Sequence, residues 1–167
     1  MTDWSNRGAA DYIHVLATYY GQPSAVDPTP GGIAIWKREL LQNTCLERLE
    51  IRDEAIPHCE PANHFDFVYV FVKYDLTPSR RVEVMSLTRN VGYDAGKKLL
   101  WARCGTAQAA IAILALVTQI GNGSITVNYA LANELLAHYL VASQDIDQSG
   151  QLYDLLCFNV RHPLSGQ

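Results

Sequence analysis

Charge is scarce in this sequence. Only 18% of its 167 residues are Asp, Glu, Lys or Arg, against roughly 25% in ordinary soluble domains. Three Trp and nine Tyr accompany that low charge, and interface cores favour aromatic residues while excluding Lys, Glu and Asp. The composition therefore predicts a subunit of a homo-oligomer or of a complex with a protein partner. Basic clusters are missing as well. The 13 Lys and Arg are scattered at a net charge of −4, and the densest groupings are the pairs Arg80-Arg81 and Lys97-Lys98. Nucleic-acid and membrane-surface binding, which depend on clustered cations that neutralise phosphates, are not expected.

There is no CxxC pair. Cys45, Cys59, Cys104 and Cys157 lie far apart, and the first residues, Met1-Thr2-Asp3-Trp4, are acidic and polar where a secretory leader would be basic. Both features predict a reducing, cytoplasmic location. The chain also lacks an apolar run long enough to span a bilayer, which takes about 20 residues. Its most apolar stretch, Ala107–Ile120, is shorter, carries Gln108, Thr118 and Gln119, and stops at Gly121-Asn122-Gly123. The pattern predicts a buried core helix over 106–120. No internal repeat, low-complexity tract or charged tail divides the chain, and its length fits one domain over 1–167.

What is present reads as an α+β fold, a small, mainly antiparallel sheet packed against a helical layer. Apolar residues at Ala9, Tyr12, Ile13, Leu16 and Tyr20 repeat at helical spacing from Arg7 to Tyr20, and Gly21 stops them. Gln22–Gly32, with Pro23, Pro28 and Pro30, is a loop. Strands are expected at Ile33–Trp36, Cys45–Arg52 and Phe65–Tyr74, the last rich in aromatic and β-branched residues and apolar enough to be buried on both faces. Thr77-Pro78 opens a short helix to about Arg89, with a strand as its rival, and Gly92–Gly96 is a turn. Lys97–Arg103 fits either a strand or the start of the long helix. A further helix spans Ser124–Ala142, and a short element surrounds Leu152–Val160.

Three groups of residues have the means to carry chemistry. The first is Pro57–Asp66, read as a loop that enters the central strand, where His58, Cys59, His64 and Asp66 offer imidazole, thiolate and carboxylate ligands to a metal. The second is Cys104, ahead of the apolar helix, where unpaired backbone N–H groups and the helix dipole favour a thiolate. The third is Asp145-Ile146-Asp147-Gln148-Ser149-Gly150, which carries oxygens at Asp145, Asp147 and Ser149 and a turn glycine, as the front of a calcium loop does. Leu156 stands where that loop's bidentate Glu belongs.

Locally, Arg103-Cys104-Gly105-Thr106-Ala107-Gln108 resembles the nucleophile segment of ubiquitin C-terminal hydrolases and, more loosely, of papain-like cysteine proteases. The resemblance covers about ten residues and implies a nucleophilic Cys104, a Gln before it, and a His followed by Asp or Asn after it. Leu99-Leu100-Trp101 occupies the place of the Gln, and neither His138 nor His162 falls where the family's His belongs. A base from upstream, His64, is compatible with a triad defined by geometry.

Three functions follow, in order of expectation. The first is a non-enzymatic structural or interaction subunit. The second is a Cys/His hydrolase or metal-dependent enzyme built on His58–Asp66 and Cys104. The third is a weak calcium-binding module at Asp145–Ser149. The sequence names no cofactor.

Overall fold

A computed structural model describes residues 2–59, 62–125 and 128–163 of the chain. The fold is α+β. In chain order its elements are α1 (Arg7–Tyr20), β1 (Ala25–Val26), β2 (Ile33–Trp36), β3 (Arg48–His58), β4 (His64–Lys73), α2 (Pro78–Leu87), β5 (Val91–Asp94), β6 (Leu99–Cys104), α3 (Ala107–Gly121), α4 (Tyr129–Ala142) and α5 (Ile146–Arg161). The six strands form one antiparallel sheet in the order β1-β2-β3-β4-β6-β5.

Strand alternation sorts the sheet into two faces. Leu49, Ile51, Val68, Val70, Val72, Leu100 and Ala102 turn toward the core. On the other face Glu50 bridges Arg48 and Arg52, and the Arg52 guanidinium lies 3.9 Å from the centre of the Tyr69 ring. That face is thus closed by its own arginines.

Helix α3 lies between the core face of the sheet and helices α2, α4 and α5. Burial on every side explains why its apolar residues show no stripe, with Ile113, Leu114, Leu116 and Ile120 all inaccessible. Its one buried hydroxyl, Thr118, donates to the Leu114 carbonyl and accepts from the Asn159 side chain of α5. Among the described residues no helix is long and apolar enough to cross a membrane.

Several boundaries depart from the sequence pattern. Within segment 97–103 a strand begins at Leu99, after a turn that holds Lys97 and Lys98, because Leu100 and Ala102 pair into the sheet opposite Val72 and Val70. Part of the Gly92–Gly96 turn is strand β5. The element expected around Leu152 is a helix of 16 residues. Strand β3 continues past Arg52, where β2 ends opposite it, and runs on to His58, so Pro57 sits in a strand rather than a loop. Beyond Arg52 the strand has no β2 neighbour, and proline, which donates no ladder hydrogen bond, is tolerated at such an edge.

Cys45 and Cys157, 112 residues apart, are joined by a disulfide. A reading that treats the cysteines as those of a reducing compartment misses this pairing, because spacing alone says nothing about partners brought together by folding.

Candidate metal centre

The centre is assembled by sheet register. His58, the last residue of β3, lies directly opposite His64, the first of β4, and opposite residues of an antiparallel pair share a face. Asp66 follows His64 by two positions and shares that face. Cys104 ends β6 opposite Val68, one diagonal step from Asp66. A register shift in the β3–β4 pair, between Ile51 and Ile56, lets several β3 residues bulge past β4 before the pairing resumes at Ile56 and Asp66.

His64 Nε2 is the hub. Its ring donates from Nδ1 to the Ala62 carbonyl at 2.7 Å, which leaves the Nε2 lone pair free. Around Nε2 lie Asp66 Oδ1 at 3.0 Å, His58 Nδ1 at 3.3 Å and Cys104 Sγ at 3.4 Å. His58 Nδ1 is 3.5 Å from the same Asp66 oxygen. Among the described residues these four form a group placed to hold a metal ion, with every ligand atom within 4.8 Å of the others. Tetrahedral zinc, with Zn–N near 2.05 Å and Zn–S near 2.3 Å, sets its donor atoms about 3.3–3.6 Å apart, so the widest pair needs to close by about 1 Å.

Asp66 is fully buried, and neither of its oxygens has an aligned hydrogen bond. The Arg103 Nε is 3.9 Å from Oδ2, too far to donate, and is itself unpartnered. Burial pushes the Asp66 carboxyl up against the pull of His58, His64 and Arg103. Burial and then the neighbouring Asp66 push the Cys104 thiol up to about 12, although the backbone N–H groups of Gly105 and Thr106 pull the other way. Burial thus opposes the thiolate that the N–H groups at the helix start favour. Cys104 closes a buried strand instead of opening the helix, which starts at Ala107 under a Thr106 cap.

The triad implied by the cysteine-protease resemblance is not formed. A triad needs the carboxylate on the imidazole nitrogen that faces away from the nucleophile. Here Asp66 and Cys104 approach the same Nε2, and the Ala62 carbonyl occupies Nδ1. Comparison with known proteins gives no match. No protein-family model fits the chain, and no curated protein or solved structure is significantly similar to it.

Of the residues predicted as ligands, His58, His64 and Asp66 converge, and Cys104 joins them. Cys59 is exposed and free, outside the group. Asp66 is buried. Asp145, Asp147 and Ser149 do not form a calcium loop. Asp145 caps α5, with its Oδ1 accepting from the backbone of Asp147 and Gln148, and the next two sit in the helix's first turn. A carboxylate that accepts from a helix start satisfies the same sequence pattern.

Sequence reasoning missed three neighbours. Asn90 donates from its side chain to His58 Nδ1 at 2.9 Å. Arg103 stands beside Asp66. Gly105 admits His64, since a Cβ there would lie 3.2 Å from the His64 ring and 3.2 Å from the Phe65 carbonyl. Of the three, only Gly105 carried a local signal, as a glycine between a strand and a helix cap. His64, Cys104 and Gly105 form part of the wall of a cavity of about 610 Å³, completed by the starts of α1, β4 and α3 and by the α4–α5 junction.

Proposed function

We propose that this protein is a metal-dependent enzyme in which a zinc-type cation is held by His64, Asp66, Cys104 and His58 at the wall of the cavity. The observation that carries the reading is the convergence of two imidazoles, a buried carboxylate without hydrogen bonds and a buried thiol on one point. A buried carboxylate oxygen 3.0 Å from His64 Nε2 needs either a proton or a cation between the two atoms. A divalent ion meets that need and favours the two anionic forms that burial opposes. The donor set of nitrogen, thiolate and carboxylate suits zinc, and the Nδ1–H of His64 on a backbone carbonyl is the outer contact that orients ligating histidines.

A catalytic role is favoured over a structural one for two reasons. Structural zinc supplies folding energy to domains with little core, whereas this chain already has an extensive one. The centre also borders a cavity. Asn90 donates to the His58 nitrogen that faces the metal position; that nitrogen has one lone pair, so His58 would ligate only on giving up Asn90 and would be the weakest of the four donors. A metal there supplies Lewis-acid chemistry, polarising a ligand carbonyl or acidifying water.

The subunit reading rests on composition alone, and the converging side chains are more specific. The Cys45–Cys157 disulfide favours an oxidising compartment over the cytosol.

Metal analysis of the purified protein tests the proposal. Zinc close to one per chain is expected, with His64→Ala, Asp66→Ala and Cys104→Ala each weakening zinc at least about 100-fold and His58→Ala about 10-fold or less. A folded wild-type chain that neither carries zinc nor gains thermal stability from added zinc would sink it.

A further inference from the structure

The walls of the cavity say what it admits. Among the described residues, Asp145 is the one charged side chain in the wall other than the centre's own, and its carboxylate is engaged at the start of α5. No described Lys or Arg lines the space. Arg103, beside Asp66, is not among the lining residues, so no described cationic side chain other than the centre's own faces the cavity to hold a phosphate.

Two of the polar groups that remain present donors. The Asn6 side-chain oxygen caps α1 by accepting from Ala9, and its Nδ2 is buried without a partner. The Gln108 oxygen accepts from the Tyr12 hydroxyl, which leaves its amide N–H groups available. Beside these donors stand Phe65, Phe67, Leu140 and Ile146, the last 88% exposed at the rim. Unpaired donors and apolar walls without a Lys or Arg call for a ligand that brings an acceptor oxygen, no charge and an apolar body.

We infer that the cavity binds an uncharged acyl compound, an amide or ester, with its carbonyl oxygen toward the centre and the Asn6 and Gln108 donors and its apolar part between Phe67 and Ile146. The inference rests on the metal reading for the contact at the centre. It goes beyond that reading in naming the substrate class.

Four probes that share one apolar body test it: 3-phenylpropanamide, 3-phenylpropanoate, 3-phenylpropyl phosphate and 3-phenylpropylamine. Each is titrated by calorimetry into zinc-loaded and metal-free full-length protein, with zinc content measured on the same samples. The amide is expected to bind at least about tenfold tighter than the three charged probes, a difference of about 1.4 kcal/mol, and to weaken when zinc is removed. Asn6→Ser keeps a capping oxygen and Gln108→Glu keeps the acceptor for Tyr12, so each removes a donor while sparing the structural contact. Each is expected to weaken the amide about tenfold with little change in melting temperature. Preference for the carboxylate or phosphate, no binding of the amide, or unchanged amide binding in both variants overturns the inference. If zinc is bound and the amide preference is absent, the ligand class alone fails. If no zinc binds, the metal reading falls and the carbonyl contact at the centre falls with it.

Discussion

At the scale of single residues, the centre depends on Gly105 as much as on its ligands. A methyl group there meets the His64 ring and the Phe65 carbonyl at 3.2 Å each, so one of them must give by a few tenths of an ångström. The backbone carbonyl is tied into β4, and the imidazole is the part free to move. Gly105→Ala is therefore expected to weaken zinc by about tenfold while costing only about 1–2 kcal/mol of stability, in the range of mild overpacking. Chelator competition and denaturant unfolding measure the two effects, and a loss of stability with zinc affinity intact would place the strain elsewhere. The Cys104 thiol gives a second reading at this scale. In metal-free protein, burial and Asp66 push it up to about 12, and only the thiolate is nucleophilic. Alkylation of Cys104 at pH 8 should be far slower than that of the exposed Cys59, and should accelerate steeply only as the pH rises well above 9. Rapid modification at neutral pH would mean an activated thiol and would revive the cysteine-nucleophile alternative.

At the scale of elements, Asp53 ties three segments together. Its carboxylate accepts from the backbone N–H groups of Ser5, Asn6 and Gly31, which docks the start of α1 and the turn before β2 onto the irregular stretch of β3. Burial pushes its carboxyl up, but the hydrogen bonds from Asn6, Gly31 and Ser5 outweigh it and hold it below its ordinary 3.8. A depressed carboxylate stabilises the fold above its unfolded value and loses that contribution as pH falls through the lower folded value. Asp53→Asn should thus cost about 2 kcal/mol at pH 7, the scale of hydrogen bonds to a charged group, and the gap from wild type should narrow below about pH 4. Melting curves of both proteins across pH 2–7 show whether it does. Sequence patterns located the elements whose burial is one-sided or complete. α1 was legible from its stripe and Gly21, β4 from its β-branched residues, and α3 from its unbroken apolarity. They failed where a cap decides the boundary. α4 starts at Tyr129 under Asn128, later than its periodicity suggested, and Asp145 capping α5 imitates a calcium loop. The candidate ligands on β3 and β4 stood out by residue type. That Cys104 joins them is set by the pairing of β4 with β6 across a separation of 40 residues, which no local pattern encodes.

At the scale of the whole molecule, the Cys45–Cys157 disulfide holds α5, whose start lines the cavity, while the candidate centre stands on the sheet. The cross-link joins the segment before β3 to the C-terminal half of α5, across 112 residues, and the Cys45 backbone N–H donates to the Tyr153 hydroxyl of α5. Closing a loop of that size is worth about 5 kcal/mol in the chain-entropy model. The double variant Cys45→Ala/Cys157→Ala should accordingly melt on the order of 10 °C lower. Its effect on function should be unequal. Ile146 and Ser149, at the start of α5, belong to the cavity wall, whereas His58, His64, Asp66 and Cys104 all stand on β3, β4 and β6, which the sheet ladder holds in register without α5. Loss of the cross-link is therefore expected to leave zinc affinity within about twofold of wild type while weakening 3-phenylpropanamide by several-fold, as a less firmly held α5 raises the cost of ordering its end of the wall. Parallel loss of zinc and amide binding would show that the centre depends on the α5 layer after all. Retention of both, with only the melting temperature lowered, would confine the disulfide to stability and leave the cavity wall rigid without it.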